Sequence, residues 1–143
     1  MARKGLLIPR KIYNDMGKIL FDAGLIPVIP EMKYTTNGKV AGYLLIDNNK
    51  YTVYINKRYA PEVIADFNNY PEWSFKAIYG LIDTCSHELF HIIDEEHDVK
   101  HKKLTQKGVK LFLKKMNILN KEDILEYIKD CKKDYWLNNK KER

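Results

Sequence analysis

The sequence predicts an α+β fold in which helix dominates. Apolar residues recur at helical spacing in four separate stretches, strict alternation is confined to the region around Tyr51–Ile55, and Gly and Pro fall at the joins. At 143 residues the chain has the commonest size of one domain, so 1–143 is read as a single unit with residues 138–143 as a frayed basic tail.

The first helix opens at Pro9 and sets Ile12, Met16, Ile19, Leu20 and Ala23 on one face before Gly24 and Pro27 stop it. A strand over 25–29 is expected next, interrupted by prolines. "GKVAGYLLIDNNKYTVYIN" reads as two strands around a turn at Asp47, Asn48 and Asn49, because Tyr51, Val53 and Ile55 alternate with Thr52, Tyr54 and Asn56. The expected sheet is small and mainly antiparallel. From Pro71, favourable at a first helical position, a long helix runs to about Asp94 with Ile78, Ile82, Cys85, Leu89 and Ile92 on its core stripe. The same period puts Asp83, His87, His91 and Asp94 on the opposite band, with Glu88 on the flank. A third helix is expected from about Lys103 to Met116, with Val109, Phe112, Leu113 and Met116 inward and Lys103, Lys107, Lys110 and Lys114 outward. The last starts at the N-cap Asn120, with Ile124, Ile128, Cys131 and Tyr135 at helical spacing.

The formal charge of +6 is concentrated after the histidines and in the tail, which suits an acidic partner. Lys103, Lys107, Lys110 and Lys114 are the candidate phosphate contacts, with nucleic acid as the candidate partner. Cys85 and Cys131 lie far apart with no C-x-x-C pairing, which excludes a disulfide framework and a thiolate zinc site. No leader and no membrane span is legible, so a cytoplasmic protein is expected.

"HELFHIIDEEHDVKH", residues 87–101, holds all 4 histidines of the chain. Two imidazoles at i and i+4 of a helix converge on one side and suit a zinc ion, which takes nitrogen donors at about 2 Å. Glu88 is turned about 100° from His87 around the axis, so it reaches the ion's water rather than the ion and serves as general base. Were the helix to continue, His97 would stand about 9 Å farther along the axis than His91. It joins the set only if the helix breaks near residues 94–96, where "DEEHD" crowds carboxylates at the negative pole of the dipole. Asp83 and Asp94 stand where a carboxylate can hold a ligand's second ring nitrogen.

Through "HELFHIIDEEH" the chain resembles the zincin metallopeptidases. Its spacing H-E-x-x-H-x-x-x-x-x-H is similar to that of the metzincins and of the small intracellular SprT-like, WLM-type and YgjP-type proteins. The resemblance covers the motif helix and the preceding strand "YTVYIN". It implies a minimal zincin-like fold, zinc held by His87, His91 and His97, Glu88 as base, a protein or peptide substrate, and a strand that offers its edge to that substrate. Metzincins have glycine three residues after the second histidine where this chain has Asp94, and Met116 fits a helix stripe rather than a Met-turn, so the small intracellular families are the nearer match. His101, i+4 from His97, is a rival third ligand. A carboxylate from Glu122 or Glu126 would give the gluzincin or ImmA/IrrE-like arrangement instead. Two other functions stay open at this point. One is a nucleic-acid-associated module on a zincin scaffold with structural zinc or none; the other is an ImmA-like regulatory protease with a single target.

Overall fold

The computed structural model describes residues 4–36, 40–56 and 71–130. The expected positions Cys131, Tyr135 and 138–143, and the first residues of the "GKVAG" strand, lie outside the described residues. Helix α1 spans Lys4–Asp22, strands β1, β2 and β3 span Glu31–Thr35, Gly42–Asp47 and Lys50–Asn56, and helices α2 and α3 span Pro71–Phe90 and Val99–Lys115. Helix α4 covers 121–130. The architecture is α+β, with a small three-stranded sheet beside the helices.

Helix α1 begins ahead of Pro9 and carries that proline inside it. The ring removes one i→i−4 bond, which the rest of the helix absorbs. Its end follows the glycine signal: Gly24 adopts φ 72°, and the bonds Gly24 N–H to Phe21 O (3.0 Å) and Leu25 N–H to Leu20 O (2.9 Å) close the last turn as a Schellman cap.

The expected strand over 25–29 is displaced. Pro27 and Pro30 have no N–H to donate to a ladder, and β1 begins only at Glu31, just past the last proline. The sheet order is β1-β3-β2, with β1 parallel to β3 and β2 antiparallel to it, so the sheet is mixed rather than mainly antiparallel. Burial agrees with the order. On β3, Val53 and Ile55 are buried on one face and Thr52 and Asn56 on the other, as suits a strand in the middle of the sheet, whereas β2 exposes Leu45 and Ile46. The hairpin turns through Asn48 (φ 49°) and Asn49 (φ 65°), the paired positive φ of a two-residue type I′ turn, which Asn tolerates.

Helix α2 contacts α1, α3, β2 and β3 and organises the core. Ile78, Ile82, Cys85 and Leu89 of its expected stripe are buried, with Leu81 and Phe90 beside them, against Ile12, Met16 and Leu20 of α1 and Val53 and Ile55 of β3. Each such aliphatic side chain contributes about 1.5–3 kcal/mol relative to exposure. The helix ends at Phe90, short of Asp94. Its last amides shift to i→i−3 bonds, His91 to Glu88 O (3.2 Å), Ile92 to Leu89 O (3.2 Å) and Ile93 to Phe90 O (3.1 Å), and this tightened turn lets the chain reverse.

Helix α3 starts ahead of Lys103 because Asp98 caps it: the Asp98 side chain accepts from the His101 amide at 3.0 Å. His101, Thr105, Gly108 and Phe112 form its buried face. Phe112 was expected there and the first three were not, while Val109, Leu113 and Met116 pack at the margin of the core. The crossing with α2 is close. A Cβ on Gly108 would stand 2.2 Å from Ser86 Oγ and 2.8 Å from Phe90 Cε2, and Ser86 Oγ donates to Thr105 O at 2.8 Å. Asn120 caps α4 by accepting from the Asp123 amide at 3.1 Å, and Tyr127 OH donates to Asp15 of α1 at 2.5 Å.

Gly108→Ala is therefore expected to cost about 1–3 kcal/mol by overpacking the helix crossing. Gly80→Ala, inside α2 with nothing within 4 Å of the added carbon, should instead stabilise by about 0.5–1 kcal/mol. Denaturant melts of the two variants check both signs.

Candidate metal centre

The end of α2, the reversal over 91–98 and the first turn of α3 bring all four histidines together. His87 and His91 face each other across one helical turn with their Nε2 atoms 3.0 Å apart. The Nδ1 of His91 lies 2.9 Å from the Asp94 carbonyl. A carbonyl only accepts, so Nδ1 carries the proton and Nε2 turns a lone pair toward His87. Two donors sharing one tetrahedral ion at about 2 Å sit about 3.3 Å apart, close to the separation found. The negative pole of α2 also points into this site and favours a cation.

His101 is buried, at 1% exposure. Its Nε2 lies 2.9 Å from the His87 carbonyl and must donate to it. Its Nδ1 stands 3.5 Å from Asp94 Oδ2, and both atoms lack a hydrogen-bond partner. Donor atoms of His87, His91 and His101 all fall within 4.8 Å of one another, so these three histidines could hold a metal ion. The rings qualify that grouping: His101 stacks on His91 with centroids 4.0 Å apart and planes 14° apart. Imidazole binds metal in its ring plane, so an ion in the plane of one ring lies off the plane of the other. His97, on the exposed reversal, has its ring 4.6 Å from that of His91 at 65° and 5.3 Å from that of His87 at 29°. It stands farther off than those three donors stand from one another but shares an open face with His87 and His91.

That face is a cleft of about 420 Å³ lined by Val40, Gly42, Tyr43, Leu44 and Ile46 on one side and His87, Glu88, His91, Glu95 and His97 on the other. His101 is not part of the lining. Strand β3, the "YTVYIN" strand, is internal, so the edge beside the motif belongs to β2. Asp47 pairs with Lys50 across the tight turn, which makes Tyr43, Leu45 and Asp47 the residues that bond to β3. Gly42, Leu44 and Ile46 therefore direct their N–H and C=O groups outward, to an edge unpaired among the described residues. Gly42 allows the close approach of strand to helix: a Cβ there would stand 2.8 Å from Tyr54 O and 3.1 Å from the Thr84 methyl. Asn56 fixes the start of this wall, donating to Val40 O at 2.8 Å. The wall was not legible in the sequence; the glycine that opens the apolar strand GYLLID was the available signal.

Glu88 is buried at the cleft floor with Oε1 3.9 Å from His91 Nε2, and burial pushes its carboxyl up to about 7. Burial, with the neighbouring imidazoles, pulls His87 down to about 4, and His91 is lowered for the same reasons, so both are neutral donors at pH 7. Asp94 is buried and supports His91, through its carbonyl rather than its carboxylate. Asp83 is exposed on α2 and lies outside the cleft lining. Glu122 and Glu126 do not line the cleft; Glu126 borders a separate depression with Lys11, Asp15 and Tyr127. Lys103, Lys107, Lys110 and Lys114 lie on the exposed face of α3. No helix among the described residues is long and apolar enough to cross a membrane.

No protein family, curated protein or solved structure matches the chain.

The shifts make a signed prediction for metal-free protein. The raised carboxyl of Glu88 contributes stability that is full below its ordinary 4.5 and is lost as pH rises through about 7. Glu88→Gln should accordingly raise the melting temperature in chelator at pH 8 and leave it unchanged at pH 4.5, as paired thermal melts will report.

Proposed function

We propose that the protein is a zinc-dependent metallopeptidase. The observation that carries this reading is the conjunction, on one cleft floor, of His87 and His91 with donors 3.0 Å apart and the buried carboxylate Glu88 beside them, under a strand edge unpaired among the described residues. In this reading His87 and His91 hold zinc through Nε2 and His97 completes the set from the reversal. His101, its Nε2 engaged with the His87 carbonyl and its ring parallel to that of His91, fixes the α2 end from beneath. An exposed side chain such as His97 can turn to close the shell at little packing cost, whereas the buried, stacked ring of His101 cannot. Three protein ligands leave one position for substrate chemistry.

When bound, zinc supplies a Lewis acid that polarises a carbonyl and acidifies a water. The chain's own residues do the rest. Glu88 accepts the proton of the attacking water and returns it to the leaving amine. The outward amides and carbonyls of Gly42, Leu44 and Ile46 hold an extended peptide as an added strand, setting its backbone across the histidines. A second partner, nucleic acid, is favoured by one observation: α3 carries Lys100, Lys102, Lys103, Lys107, Lys110, Lys114 and Lys115 and no acidic residue. If that stripe binds phosphates, affinity for a DNA duplex falls steeply as salt is raised.

Metal analysis with turnover measurement tests the main reading. Glu88→Gln should retain zinc and lose hydrolysis by about 10²–10⁴-fold. His87→Ala, His91→Ala and His97→Ala should each lose zinc, and His101→Gln should keep it. Zinc retained by His97→Ala and lost by His101→Gln would reverse the ligand assignment.

A further inference from the structure

We propose that this cleft selects an extended segment bearing a large apolar side chain against β2 and a basic side chain toward Glu95, an inference that rests on the peptidase reading and supplies its substrate class. The first observation is the composition of the β2 wall. Val40, Tyr43, Leu44 and Ile46 line the cleft together with Gly42, which has no side chain to fill it. Ile46 is 49% exposed and its neighbour Leu45 46%. Proteins ordinarily blunt an edge strand with lysine, proline or inward charge, because an apolar edge invites pairing with other chains. Strand β2, GYLLID, has none of these along its length, and its single charge, Asp47, sits at the hairpin turn. An aliphatic edge left open among the described residues, beside side chains that could hold a metal, suits an occupant that pairs there transiently.

The second observation is register. A chain added to β2 alternates its side chains with period two, in step with Leu44 and Ile46. Alternate side chains of the occupant then fall on the α2 side of the sheet, into the volume between the aliphatic wall and His87, Glu88, His91 and His97. At about 420 Å³ that space accepts a large side chain. An aliphatic or aromatic group there removes Leu44 and Ile46 from water, while a charged group would lose its hydration with no oppositely charged partner on that wall.

Charge supplies the third observation. The chain carries +6 overall, yet no lysine or arginine lines the cleft. Its one exposed charged lining residue is Glu95, on the reversal opposite β2. A cationic side chain of the occupant gains a partner there, and an acidic one is repelled, so the two walls read different positions of the same segment.

The test uses a mixture of peptides of diverse sequence, incubated with the zinc-loaded full chain and sequenced at the new termini. In parallel, zinc-loaded Glu88→Gln is used to capture peptides from the same mixture. Cleavage sites and captured peptides should both be enriched in a large apolar residue at one position and Lys or Arg at another. Ile46→Lys should erode the apolar preference by about tenfold, and Glu95→Lys should turn the basic preference toward acidic residues by a similar factor. Both substitutions are at exposed positions, and unchanged melting curves verify folding. Cleavage with a profile that neither variant alters overturns the specificity and leaves the peptidase reading standing. Selective capture without cleavage upholds the specificity and overturns hydrolysis. Neither cleavage nor capture overturns both.

Discussion

The close crossing of α2 and α3 is the constraint on which the rest of the molecule depends. Helices normally pack 8–10 Å apart, with side chains setting the gap. Here Gly108 contributes no side chain, Ser86 bonds directly to the Thr105 carbonyl, and Phe90 occupies the space that a larger residue would need. The first turn of α3 is thereby drawn onto the last turn of α2, so that the His101 ring lies under the His87 carbonyl and against His91. The short reversal between the helices has little slack, and it brings His97 to the open side of the same cluster. A wider crossing would keep the four histidines near in sequence and disperse them in space.

The site is held together by groups that cost free energy to bury. Glu88, His91, Asp94 and His101 are all buried, and Asp94 Oδ2 and His101 Nδ1 face each other without a hydrogen bond. Each unmet polar atom of this kind costs about 1–3 kcal/mol. The apolar stripe of α2 offsets that cost from the far side of the same helix. One element thus carries both the core that stabilises the fold and the polar cluster that opposes it.

Much of this was legible in the sequence, for local reasons. The i and i+4 spacing of His87 and His91, the core stripe of α2, the Asn48–Asn49 turn, the Gly24 stop and the Asn120 cap each depend on residues within a turn or two of one another. What the sequence hid was set at longer range or by backbone detail. The parallel pairing of β1 with β3 joins segments separated by a whole strand. The end of α2 at Phe90 reflects tightened hydrogen bonds that no residue type announces. The early start of α3 follows from Asp98, a recognisable cap obscured by the acidic run before it. Burial of His101 and Thr105 could not be read from a helix whose outward lysines define its apparent face. The edge of the sheet also went to β2 instead of the "YTVYIN" strand, because the distant β1 pairs along the other side of β3.

Strand β2 is already extended before anything meets it, tethered along one side by β3, at one end by a two-residue turn and at the other through Asn56. In the proposed binding mode a chain arriving there would surrender its own freedom while the strand would surrender almost none. Fixing each arriving residue costs about 1–2 kcal/mol of backbone entropy, and each hydrogen bond to the edge returns about 1 kcal/mol net. With those quantities so nearly balanced, backbone pairing alone yields only a fleeting complex. Under the proposed peptidase function, residence time would be left to the side chains, and the fragments of a cut chain would have little to keep them in place.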